Sequence, residues 1–153
     1  MNGANPSARQ VKAVLRGTVV EGLGHFSVRH FWAAFHTAYH EVTGEDFVLG
    51  TLNVRVAQIV PIHEERRIRW ALIKKTAAPA ESRFRPEDFA LESCLVNGIP
   101  AFRIRPCAPG GPPLGHGGHG DHILEIMSSR IIPDARPGAT VEISLFRELT
   151  SAD

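Results

Sequence analysis

The dipeptide Asn97-Gly98 sits between two runs rich in apolar and β-branched residues, Phe89–Val96 and Ile99–Arg105. Both residues tolerate the positive φ angles of a two-residue hairpin turn, so the pair predicts an antiparallel hairpin. Similar runs recur along the chain. Val11–Gly22 crowds β-branched residues around Val14, Thr18, Val19 and Val20, and Thr51–Val56 alternates Leu52, Val54 and Val56 with polar residues. Ile123–Met127 and Thr140–Phe146 complete the set, the latter alternating Val141, Ile143 and Leu145. Gly22-Leu23-Gly24, Gly50 and Arg136-Pro137-Gly138 punctuate these runs. His30–Thr43 instead repeats Phe31, Phe35, Ala38 or Tyr39, and Val42 at helical spacing, with Gly44 placed as a C-cap. His63–Lys75 fits neither period, and Pro79–Pro86 reads as loop. About six short strands and one helix predict a mostly-β barrel.

Length and composition agree with a single domain. At 153 residues and 43% hydrophobic, the chain can bury a real core and is too apolar for disorder. Residues 13–148 are read as that domain, with a tail over 1–12 and an inserted loop over 106–120. Six of the 14 glycines and four of the 11 prolines fall between Pro106 and Gly120, which makes this stretch a loop. No run of 18 apolar residues occurs and Met1–Gln10 lacks an apolar core, so a soluble, cytoplasmic protein without membrane contact is expected. With 17 basic and 16 acidic residues, the total charge argues against a nucleic acid partner. Locally, residues 55–85 carry eight Lys/Arg against three Asp/Glu, while 86–153 carry five against nine. Cys94 and Cys107 form neither a disulfide framework nor a CxxC pair.

Several motifs carry possible chemistry. Gly115, Gly117 and Gly120 spell GxGxxG, but prolines precede it and a β-type run follows, so the dinucleotide-binding context of a strand and a helix is missing. No GxxxxGK[ST] is present. His116, His119 and His122, with Asp121 beside them, offer ligands for a transition metal, although a flexible loop does not align them. His36 and His40 lie one helical turn apart, which suits one shared metal or an exposed helix face. Strand geometry puts Thr51 and Asn53 on one face and Leu52 on the other. Two neutral oxygens side by side suit Mg²⁺, and they equally suit a polar outer face. The glycines of Gly22-Leu23-Gly24 let backbone N–H groups approach phosphates, or simply make a tight turn. Glu125, set among Ile123, Leu124, Ile126 and Met127, is either solvent-facing or aimed at a hydroxyl or cation.

In order and spacing these pieces resemble the archaeal-type CTP-dependent riboflavin kinase family. The resemblance is carried by Gly17-Thr18-Val19-Val20-Glu21-Gly22-Leu23-Gly24, Gly50-Thr51-Leu52-Asn53-Val54-Arg55-Val56 and Cys94-Leu95-Val96-Asn97-Gly98-Ile99 with Arg105-Pro106. It continues in Asp121-His122-Ile123-Leu124-Glu125-Ile126 and in Arg136-Pro137-Gly138-Ala139-Thr140-Val141-Glu142-Ile143. It covers about residues 14–146 and implies a six-stranded cradle-loop barrel that transfers the terminal phosphate of CTP to riboflavin, giving FMN. By resemblance, Thr51 and Asn53 hold Mg²⁺, and the loop Gly22, Leu23, Gly24, His25, Phe26 and Ser27 embraces the nucleotide phosphates. Glu125 meets the ribityl end of the flavin, and His119 lies in the flavin-binding segment. Basic Arg66, Arg67 and Arg69 are candidates for added charge toward the triphosphate. The chain departs from the family at Pro106–His122, which is lengthened and lacks the flavin-phosphate Thr, Gly117 standing in its place. It departs again at His25-Phe26, and at Arg130-Ile131-Ile132-Pro133 near the cytosine site. An alternative reading is a non-catalytic barrel that binds a transition metal or a small ligand through His116, His119 and His122.

Overall fold

The computed structural model describes residues 9–21, 29–48, 51–76, 86–113 and 122–149. Their elements are β1 (Ala13–Val20), α1 (Arg29–Thr43), β2 (Leu52–Val56), β3 (Arg66–Ile68) and α2 (Trp70–Thr76). Then follow β4 (Asp88–Val96), β5 (Ile99–Cys107), β6 (Ile123–Met127) and β7 (Thr140–Leu145). The sheet runs β3-β4-β5-β6-β2-β1-β7, and β7 also pairs with β4. That second pairing closes six antiparallel strands into a barrel and leaves β3 outside the ring. One edge of β4 serves two partners: Phe89–Leu91 pair with β3, and Cys94–Val96 pair with β7.

Alternation explains the closure. Leu15 and Val19 of β1, Val54 and Val56 of β2, Leu124 and Ile126 of β6 and Val141, Ile143 and Leu145 of β7 all bury inward in one cluster. A second apolar layer covers part of the outer wall. There Ala34, Phe35, Ala38 and Tyr39 of α1 pack on Leu91, Phe102, Ile104 and Met127, and Phe35 meets Phe89 edge-on with ring centroids 5.0 Å apart.

The expected hairpin turn and helix C-cap form as read. Asn97 and Gly98 have φ of 50° and 80°, and the Asn97 side chain accepts the Glu142 N–H at 2.9 Å, tying the hairpin to β7. Gly44, at φ 76°, ends α1, its N–H bonded to His40 O at 2.7 Å. Gly17 serves a different purpose. A Cβ there would stand 2.6 Å from Arg55 O and overlap a Val54 methyl, so β1 and β2 approach too closely for any side chain. Gly17→Ala should therefore lower stability by about 1–3 kcal/mol, read as a fall in denaturant midpoint.

Two expectations need correction. The ambiguous segment 63–75 holds both β3 and a second helix, so the barrel carries two helices, not one. α2 has only seven residues, too few to show a period, and its N-terminus is capped from afar: Asp88 accepts the Trp70 N–H at 2.7 Å. β1 begins at Ala13, and just before it Lys12 N–H bonds Leu145 O at 2.9 Å. Arg9 lies 4.5 Å over the Phe146 ring, a polar anchor that no hydrophobic pattern reveals. The inserted loop also begins later than Pro106, since β5 continues through Cys107. Pro100 and Pro106 lie outside the Phe102–Ile104 stretch that pairs with β6, so neither proline breaks that ladder.

Candidate functional site

β2 and β6 place Asn53 directly opposite Glu125, and the same β2 register sets Asn53 against Val20 at the end of β1. Leu52, Val54 and Val56 face the barrel core, so Asn53 and Glu125 share the outer wall beside Ile104 and Met127. This outer position is not solvated: Asn53 is 4% and Glu125 6% exposed. The polar-outer-face reading of Asn53 therefore fails.

Asn53 Nδ2 donates to the carbonyl and the hydroxyl of Thr51, each at 3.4 Å. Its amide oxygen is buried with no hydrogen-bond partner among the described residues, a state that a folded chain rarely tolerates without a use for the atom. Burial pushes the Glu125 carboxyl up to about 7; buried Arg105 pulls it down and Glu87 pushes it further up. Thr51, Asn53 and Glu125 thus form one oxygen-rich cluster, and buried Arg105, of opposite parity to Ile104, acts on Glu125 through its charge. Arg105 appears in the sequence only as part of Arg105-Pro106. Its core-facing parity in β5 is the signal that marks it as a buried cation.

The folded state holds the Glu125 proton longer than the unfolded chain does, since about 7 exceeds the ordinary 4.5. Stability therefore falls as pH rises through that window. Glu125→Gln should raise stability at pH 8 by on the order of 1–3 kcal/mol and leave it unchanged at pH 4. Urea midpoints at the two pH values check this; equal gains at both would rule out ionisation as the cause.

A groove of about 400 Å³ opens at the Leu52–Ile126 end of the ladder. Thr51 lines it together with Val48, Leu52, Ile126, Ser128, Arg130, Ile131, Ile132 and Ala135. The segment after β6 thus meets the Thr51 end of β2, which their separation in sequence conceals. At the other end of the ladder, exposed His122 precedes β6, its carbonyl accepting Val56 N–H at 2.8 Å.

Other sequence candidates fall elsewhere. Gly22, Leu23, Gly24, His25, Phe26 and Ser27 lie outside the described residues, as do His116, His119 and Asp121. The chain leaves β1 across from Asn53, one residue before Glu21 and the Gly22–Ser27 segment. His36 and His40 both contact Asp46 Oδ1, at 3.3 and 2.9 Å, which ties the end of α1 to the chain beyond Gly44. Among the described residues, no group of three or more His, Cys, Asp or Glu side chains is arranged to hold a metal ion. Cys94 and Cys107 are buried thiols, and burial pushes Cys94 up to about 12.

Two of the three arginines expected to reach a triphosphate are engaged elsewhere. Arg66 donates to Val42 O at 3.2 Å and lies 5.7 Å from the Phe102 ring centroid. Arg67 binds Glu64, Gly111 O at 2.7 Å and Asp88 at 2.9 Å. Asp88 is itself buried, which raises its pKa, but the Gly110 and Trp70 N–H groups and Arg67 outweigh burial and hold it below the usual range. Arg69 is exposed.

Fold and site together define a closed six-stranded antiparallel barrel with a buried oxygen cluster on its outer wall and a groove beside it. No protein-family model matches this chain, and no curated protein matches it. No helix among the described residues is long and apolar enough to cross a membrane.

Proposed function

We propose that the protein is a Mg²⁺-dependent phosphotransferase that moves the terminal phosphate of a nucleoside triphosphate to the ribityl hydroxyl of riboflavin. The observation that carries this reading is the pairing of Asn53, whose buried amide oxygen has no partner among the described residues, against Glu125, one step along the ladder from the Leu52–Ile126 pair that lines the groove. The donor set fits the ion: Thr51 and Asn53 offer neutral hard oxygens, and Mg²⁺ takes few protein ligands, leaving its remaining positions to phosphate and water. The bound ion supplies charge neutralisation at the transferring phosphate. Buried Arg105 adds fixed positive charge that acts on Glu125. Glu125, with a pKa near neutrality, hydrogen-bonds the acceptor hydroxyl and takes its proton as transfer proceeds. Phosphoryl transfer through a loose transition state asks chiefly for alignment and charge, so this modest equipment is enough.

The resemblance to CTP-dependent riboflavin kinases supports the same reading, with the groove at Arg130–Ile132 taking the base end of the nucleotide. The test is direct. Folded protein, riboflavin and Mg²⁺ are incubated with CTP, ATP, GTP or UTP in turn, and FMN is measured. FMN with one donor or more is the expected result; none with any donor would refute the reading.

A further inference from the structure

We infer that the protein binds a small apolar α-amino acid in a second pocket, where α1 meets the β4–β5 hairpin, with Arg66 taking its carboxylate and Glu45 its ammonium. This site is independent of the phosphotransferase reading. The pocket encloses about 210 Å³. An apolar cavity of about 150 Å³ admits a benzene ring, and sites for drug-sized ligands begin near about 300 Å³. The size therefore suits one ring-sized side chain with a small head group. Leu95, Pro100, Phe102 and Phe146 give that side chain an apolar lining. The gain grows with the area covered, which favours phenylalanine over alanine.

The charged side chains of the lining are Arg9, Arg66 and Glu45. Arg9 is already neutralised. It lies 4.5 Å over the Phe146 ring, and its two terminal nitrogens meet the Glu65 carboxylate at 3.1 and 3.4 Å. Ser93 donates to the same carboxylate at 3.0 Å. Arg66 is fixed in place but not neutralised. Its Nη1 donates to Val42 O at 3.2 Å, and its guanidinium carbon stands 5.7 Å from the ring centroid of Phe102, which sets the group at the pocket wall. Nε and Nη2, one edge of the fork, have no partner among the described residues, and such an edge matches a carboxylate through two parallel bonds. Neither Arg66 nor Glu45 forms an ion pair with a described residue. Burial pushes the Tyr39 hydroxyl up and the Glu45 charge adds to it, while the Tyr39 ring lies 6.1 Å from that of Phe102. The Glu45 carboxylate thus belongs to the same flank of the pocket. One cation and one anion line a single apolar pocket without pairing with each other. A ligand with both charges on one carbon answers both. A phosphate or dicarboxylate would set like charge against Glu45, and a simple amine would set it against Arg66.

The experiment is an NMR titration of the ¹⁵N-labelled full chain with L-phenylalanine, with 3-phenylpropionate, which lacks the ammonium, and with 2-phenylethylamine, which lacks the carboxylate. L-Phenylalanine should bind with millimolar affinity or better, and each analogue at least about tenfold more weakly. Arg66→Gln and Glu45→Gln, with unchanged circular dichroism spectra, should each weaken L-phenylalanine about tenfold. Glu45→Gln should leave 3-phenylpropionate no weaker than before. If 3-phenylpropionate binds the unaltered protein as tightly as L-phenylalanine does, the ammonium contact is overturned; if 2-phenylethylamine does, the carboxylate contact is. Binding that neither substitution weakens lies elsewhere and overturns the pocket assignment. No saturable shift with L-phenylalanine overturns the amino-acid site outright, and the FMN assay stands apart from either result.

Discussion

Glu92→Ala should cost about 3–5 kcal/mol of stability, the range for breaking a buried ion pair by removing one partner. Glu92 and Arg103 face each other across the β4–β5 hairpin and are each 1% exposed. Glu92 accepts the His63 N–H at 3.0 Å and Arg147 Nε at 2.7 Å. Arg103 Nη1 stands 3.8 Å away, close enough for an ion pair and too far for a hydrogen bond, while its other terminal nitrogen donates to Val60 O. One carboxylate therefore fastens the 60–63 segment and the chain after β7 to the hairpin. Its removal leaves Arg103 buried beside an unmatched cavity. Thermal unfolding should show a midpoint lowered by about 10 °C or more. The double variant Glu92→Leu, Arg103→Met should recover much of the loss, because it removes both charges and keeps the volume. A single variant within about 1 kcal/mol of wild type would mean that the pair behaves as though solvated.

Asn53→Ala should lower FMN formation by about a hundredfold or more while leaving the unfolding midpoint nearly unchanged. The asymmetry follows from the surroundings of the side chain. Its two bonds to Thr51 are long, at 3.4 Å, and its oxygen has no partner among the described residues, so the fold gains little from the amide. A metal site would lose a ligand. Asn53→Asp, which keeps an oxygen in place, should restore part of the activity and shift the Mg²⁺ concentration needed for half-maximal rate. Steady-state assays across a Mg²⁺ series check both variants. Turnover by Asn53→Ala within a few-fold of wild type at every Mg²⁺ concentration would refute the ligand role.

What the sequence reveals depends on whether a contact is local. Asn97-Gly98 announces the hairpin, and counting outward from it already puts Glu92 opposite Arg103. A charged pair at core-parity positions was therefore readable, although the strand pattern alone does not draw attention to it. Thr51 and Asn53 are visible as a spaced pair because strand period two is local. Their apposition to Glu125 is not, since about seventy residues of chain separate them and no short turn sets the register. The same limit hides the cap that Asp88 gives α2, and with it the helix. Arg66 and Arg67 mislead for a related reason: a run of basic residues does not show that its members are bound to Val42, Glu64 and Asp88. Burial of the Asn53 and Glu125 polar groups is a tertiary property, which no reading of β2 or β6 in isolation supplies.

The ring is closed by β7, which bonds to β1 on one side and β4 on the other. During synthesis at the ribosome the first strand emerges long before its last neighbour. Until Leu145 clears the exit tunnel, β1 and the far half of β4 present open edges, which is the state in which sheets pair with other chains. A stalled or truncated product ending before residue 140 would keep both edges exposed, so chaperone dependence should be set by completion of this last strand.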